Sequence, residues 1–101
     1  MPYIKQEDRK KFLYTPEKLG PNSQVDLFAR IAEKCDTPGD LNYAFTVLCH
    51  GYLRKQGLNY QHINDVIGAL EGCKQELYRR IAAPYEDDKI AQNGDVKGFL
   101  K

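Results

Sequence analysis

The chain has 101 residues, 15 of them Lys or Arg and 14 Asp or Glu, for a formal net charge of +1. That length suits a single domain, 1–101, with a modest core, and a domain of this size leaves a larger share of its surface in water than a bigger one does, so oligomerisation would be a natural supplement. Balanced charge supplies no bulk positive field for nucleic acid or an anionic membrane, and no run approaches the ~20 apolar residues of a membrane span.

The opening Met1-Pro2-Tyr3-Ile4-Lys5-Gln6-Glu7 lacks the apolar centre of a signal peptide, so the expected compartment is cytoplasmic. The charged stretch 7–13, ending in Phe12 and Leu13, is compatible with a short helix. Two prolines and a glycine then punctuate Thr15-Pro16-Glu17-Lys18-Leu19-Gly20-Pro21-Asn22-Ser23, which makes 14–23 loop-rich, with room for one turn of helix. Ser23 is placed to cap the next helix. Across 24–35, Val25, Phe28, Ile31, Ala32 and Cys35 recur at steps of three and four, the period of one helix face.

A second start signal comes directly after Cys35. Thr37 stands as N-cap, Pro38 at the first helical position and Asp40 three residues after the cap, so a helix is expected over 38–56. Its core stripe is Leu41, Ala44, Phe45, Leu48 and Tyr52, and Gly57 is expected to stop it by adopting a left-handed conformation. Asn59 caps the next helix, which begins near Tyr60, with Leu58 and Ile63 at the spacing of a hydrophobic staple. Ile63, Val66, Ile67, Leu70, Leu77, Ile81 and Tyr85 mark its buried side, and Pro84 predicts a kink or stop near Ala83. The tail 92–101 reads as flexible. No strand is expected.

The predicted fold is therefore all-α: a small helical bundle built around an antiparallel helical hairpin, with 24–35 packed across it. Cys35, Cys49 and Cys73 are odd in number and widely spaced, which suits buried free thiols better than a structural zinc site.

Three surfaces are candidates for function. Lys74 falls inside the apolar sector of the last long helix, where a lysine must snorkel, pair with a carboxylate such as Glu71, or face a ligand or partner. Arg79 and Arg80 follow Glu76, and with Tyr78 and Tyr85 nearby they define a candidate site for a small phosphorylated ligand or nucleotide: guanidinium forks grip phosphate and tyrosine stacks on a base. The default reading of the same residues is an ordinary solvated charge network, with Glu76 and Arg80 at the favourable helix spacing. On the helix before, Tyr43, Val47, His50 and Arg54 form a second face away from the core stripe that would suit an oligomer seam, and Gly68 and Gly72, four apart, permit another backbone to come close. The acidic trio Glu86, Asp87 and Asp88 reads first as a solvated cluster, since adjacent carboxylates do not converge by themselves and the spacing of a calcium loop is missing. No metal or cofactor is assigned. Neither His50 nor His62 belongs to a metal or nucleophile motif.

The blocks Gly39-Asp40-Leu41-Asn42-Tyr43, Gly57-Leu58-Asn59-Tyr60 and Glu76-Leu77-Tyr78-Arg79-Arg80, then Ala83-Pro84-Tyr85-Glu86-Asp87, Lys89-Ile90 and Asn93-Gly94-Asp95-Val96, resemble small conserved proteins of uncharacterised function in bacteriophage and microbial genomes. The resemblance covers roughly 39–96 and implies a compact microbial or phage protein, with no activity attached. The leading expectation is a small non-enzymatic, self-associating helical interaction protein, most economically a homodimer, with a different protein as the other candidate partner. A phosphorylated-ligand or nucleotide binder is the first alternative. A phosphoester hydrolase using magnesium on Glu86, Asp87 or Asp88 is the second, lacking a defined base or nucleophile.

Overall fold

A computed structural model of the chain describes residues 4–98. The first element is a 3-10 helix, Gln6–Phe12, whose acidic Glu7 and Asp8 precede basic Arg9, Lys10 and Lys11, the order that complements a helix dipole. Strand β1, Leu13–Tyr14, pairs antiparallel with β2, Val25–Asp26, matching Leu13 to Asp26 and Tyr14 to Val25. The loop between them holds a single 3-10 turn, Glu17–Leu19.

This short ladder corrects the expectation of no strand, and it also shortens the next helix. Because Val25 and Asp26 are drawn into extended pairing, the helix expected over 24–35 is α1, Leu27–Glu33. Its N-cap is Asp26, whose Oδ1 accepts from the backbone N–H groups of Phe28 (2.9 Å) and Ala29 (3.3 Å). Ser23, expected in that role, donates instead to the Leu19 carbonyl at 2.7 Å. The rings of Phe12 and Phe28, with centroids 4.6 Å apart, tie the 3-10 helix to α1. The main contacts of α1 are with β2, so it does not lie across the long helices as expected.

Helix α2, Pro38–Gln56, begins on a closed capping box. The Thr37 hydroxyl accepts from the Asp40 N–H at 3.1 Å, and Asp40 Oδ2 accepts from the N–H groups of Asp36 (2.9 Å) and Thr37 (3.2 Å). Gly57 stops the helix with φ +104°, a conformation essentially reserved for glycine, and its N–H bonds the Leu53 carbonyl at 2.8 Å. Helix α3, Tyr60–Leu77, starts on Asn59, which accepts from the His62 N–H at 2.8 Å. His62 Nδ1 lies 2.7 Å from the Gly57 carbonyl, and because a carbonyl only accepts, that nitrogen carries the proton. Leu58 remains 79% exposed, so the staple expected with Ile63 covers little of it.

Of the kink or stop expected near Ala83, the stop does not occur and the α-helical bonding is interrupted instead. A π turn, Tyr78–Ala82, follows α3, and helix α4, Ala83–Asn93, follows the turn. In the π turn the Ala83 N–H reaches back to the Tyr78 carbonyl, five residues earlier, and Pro84, which has no N–H to donate, then falls in the first turn of α4. Gln92 and Asn93, assigned to a flexible tail by sequence, complete α4, which ends at Gly94 with φ +86°. The last three residues of that tail lie outside the described residues.

Helices α2 and α3 meet along one side, Leu48, Cys49 and Tyr52 bordering a groove with Val66 and Ala69 while Phe45 borders Leu70. Among the described residues none is buried. This corrects the expected core: Leu41, Phe45, Leu48 and Tyr52 on α2 retain 43–51% of their surface, and Ile67, Leu70, Leu77, Ile81 and Tyr85 retain 45–63%. The cysteines are free, with Cys35 and Cys49 half-buried and Cys73 exposed. The chain is drawn out to 59 × 39 × 29 Å, with a radius of gyration of 18.8 Å. A compact domain of 100 residues has a radius of about 13 Å.

Candidate functional site

The basic residues at the end of α3 and in the π turn after it are paired with carboxylates of α3. Lys74 Nζ lies 3.8 Å from Glu71 Oε1, the pairing anticipated at that spacing. Arg79 Nη2 donates to both oxygens of Glu76, at 3.0 and 3.3 Å, and Arg80 Nη1 lies 3.9 Å from Glu76 Oε2. The Glu76 side chain is 12% exposed, so one largely covered carboxylate faces two guanidinium groups that are themselves well exposed. Sequence spacing pointed to Arg80 as its partner, yet Arg79 makes the shorter contact.

The tyrosines are likewise engaged locally. Tyr78 donates its hydroxyl proton to Glu86 Oε2 at 3.4 Å, across the π turn, and Lys89 Nζ sits 5.5 Å from the Tyr85 ring centroid. Lys74 and Tyr78 do share a groove with Phe45, Leu70, Cys73 and Leu77, but neither Arg79, Arg80 nor Tyr85 lines it. The five residues expected to hold a phosphorylated ligand are therefore split among a groove wall, a shared carboxylate and a cation–ring pair. Glu86 faces Tyr78 rather than Asp87 and Asp88, and among the described residues no group of three or more His, Cys, Asp or Glu comes together as a metal would require.

What the helices do assemble is apolar. The groove lined by Phe45, Leu70, Cys73 and Leu77 has a volume of about 590 Å³. A second, of about 300 Å³, lies between Leu48, Tyr52, Val66 and Ala69, and a third, of about 550 Å³, runs along Leu41, Phe45, Cys49, Val66 and Leu70. All three follow the line where α2 meets α3. On the second face of α2, Tyr43 is 73% and Val47 48% exposed, with Arg54 also exposed, while exposed His50 borders the third groove. Gly68 has nothing within 4 Å of where a Cβ would stand, so no backbone of the same chain makes the close approach it permits, and Gly72 is half-buried.

Periodicity located the stripe residues but assigned them to a filled interior. Among the described residues no helix is long and apolar enough to cross a membrane. No curated protein and no solved structure matches the chain. A family model does, over residues 1–96, including the N-terminal third that the block-by-block resemblance left out: the chain belongs to the family described as Domain of unknown function (DUF6899).

Proposed function

We propose that this protein acts as a self-associating helical interaction protein without catalysis of its own, and that the helical bundle legible in its sequence is completed only in the assembly. One observation carries the reading. The accessible surface is 9253 Å² for a chain of 11.6 kDa, whereas a compact monomer of that mass exposes about 5,800 Å². The excess, about 3,400 Å² per chain, is several times the roughly 800 Å² that each partner contributes to an ordinary protein interface, and belongs with the large apolar contacts of obligate oligomers. A chain with amphipathic helices and no buried residue among those described leaves much of its hydrophobic driving force for folding unused, and a second copy supplies the missing surface without any further sequence.

The phosphorylated-ligand reading draws less support, because Glu76 already engages both arginines and a phosphate would have to compete with it. Sedimentation equilibrium tests the proposal. The expected result is a mass at twice 11.6 kDa or a higher whole multiple throughout the micromolar range; a well-folded species that stays at 11.6 kDa would sink it.

A further inference from the structure

Two faces of α2 compete for the seam, and they carry different chemistry. The second face combines Tyr43 and Val47 with His50 and Arg54, so a contact centred there would have to take a guanidinium out of water, which is costly unless the partner supplies a carboxylate. The other is the stripe of Leu41, Phe45, Leu48 and Tyr52, free of charge and recurring at steps of four, three and four. Leu70 and Leu77 continue it on α3, at 45% and 52% exposure. These residues are neither free nor filled: α2 and α3 cover part of each other, and the uncovered parts form the apolar grooves of about 590 and 300 Å³.

We infer that the stripe shared by α2 and α3 is the seam, met by the same stripe of a second copy so that two antiparallel helix pairs close a four-helix layer. This rests on the self-association proposed above and says where it occurs. Two helices side by side make one layer with one apolar face, and such a layer is stable only when a second layer covers it. The loop-rich N-terminal segment does not supply that second layer, since the main contacts of its elements are with one another rather than with α2 or α3. An identical stripe does, because a two-fold axis brings the same residues face to face, and Leu and Phe side chains enter the grooves of the partner in the manner of knobs into holes. The amount of surface left open is on the scale of an obligate contact, not of a transient one. Lys74, beside the larger groove and paired with Glu71, falls at the rim, where its stem covers apolar surface and its ammonium stays in water.

Cys73 offers a built-in probe, being exposed in one chain and part of the larger groove. In a Cys35→Ser, Cys49→Ser background, the alkylation rate of Cys73 by iodoacetamide is measured at concentrations where the mass is that of the oligomer, alongside a cysteine-free background (Cys73→Ser as well) carrying Leu48→Cys, Val47→Cys or Tyr43→Cys. Cys73 and the cysteine at 48 are expected to react roughly tenfold or more slowly than those at 43 and 47, and to lose that protection as the protein is diluted into monomer. Circular dichroism checks that each variant is folded, and should Leu48→Cys fail that check, Cys73 alone still reports on the stripe. Oligomer with Cys73 freely reactive, or with the cysteines at 43 and 47 protected in its place, overturns the seam while leaving self-association standing. A mass of 11.6 kDa at every concentration removes both.

Discussion

Asp40 is held by hydrogen bonds from the backbone N–H of Asp36 and from both the backbone and the hydroxyl-bearing side chain of Thr37, and these bonds, the Asp36 contact foremost, keep its carboxyl below the ordinary value of 3.8. The folded chain therefore binds this proton less readily than the unfolded one. The stabilisation is complete above that ordinary value and is lost as pH falls through the lower folded value. Asp40→Asn is expected to flatten this part of the acid unfolding curve, read by helicity against pH. Thr37→Ala, which removes the acceptor for the Asp40 N–H, is expected to cost about 1 kcal/mol in denaturant unfolding. Both roles were legible in the sequence because a cap depends on residues within one turn of each other. Ser23 was misread for the complementary reason: whether it caps a helix depends on Val25 and Asp26 pairing with Tyr14 and Leu13, residues more than ten positions away.

At the scale of elements, the starts and stops of α2 and α3 follow from local chemistry, and their glycines can be told apart by what each is asked to do. Gly57 occupies φ +104°, ψ 145°, so Gly57→Ala is expected to cost about 1–3 kcal/mol through backbone strain alone, since nothing stands within 4 Å of the added methyl. Gly68 lies within α3, also with open space around it, and there Gly68→Ala is expected to stabilise by about 1 kcal/mol. Thermal unfolding of the two variants separates these signs, and a destabilising Gly68→Ala would place the backbone of a second copy against that helix. The π turn was the element least visible beforehand. Pro84 announces that an α-helical bond is missing, but not whether the chain stops or shifts register, and here the Ala83 to Tyr78 bond carries the helix on to Asn93.

At the scale of the whole molecule, sequence periodicity located the helices and their apolar sides, but not what those sides face, because a pattern of three and four is the same whether the cover comes from the same chain or from another. Leu41, Leu48 and Leu70 look like core positions by spacing and remain 45–51% exposed in one chain. If a second copy supplies their cover, folding and association are one event, and stability has to depend on concentration in a way a monomer's cannot. Each tenfold increase in protein then adds about 1.4 kcal/mol to the dimer's stability. For two chains of this length that amounts to a rise in Tm of roughly 3–6 °C per decade. Thermal unfolding followed by helix signal from low micromolar to high micromolar concentration reads this directly. A Tm that does not move across that range, in a protein that unfolds cooperatively and reversibly, would mean that each chain closes its own core and that the exposed stripes are covered by rearrangement within the chain.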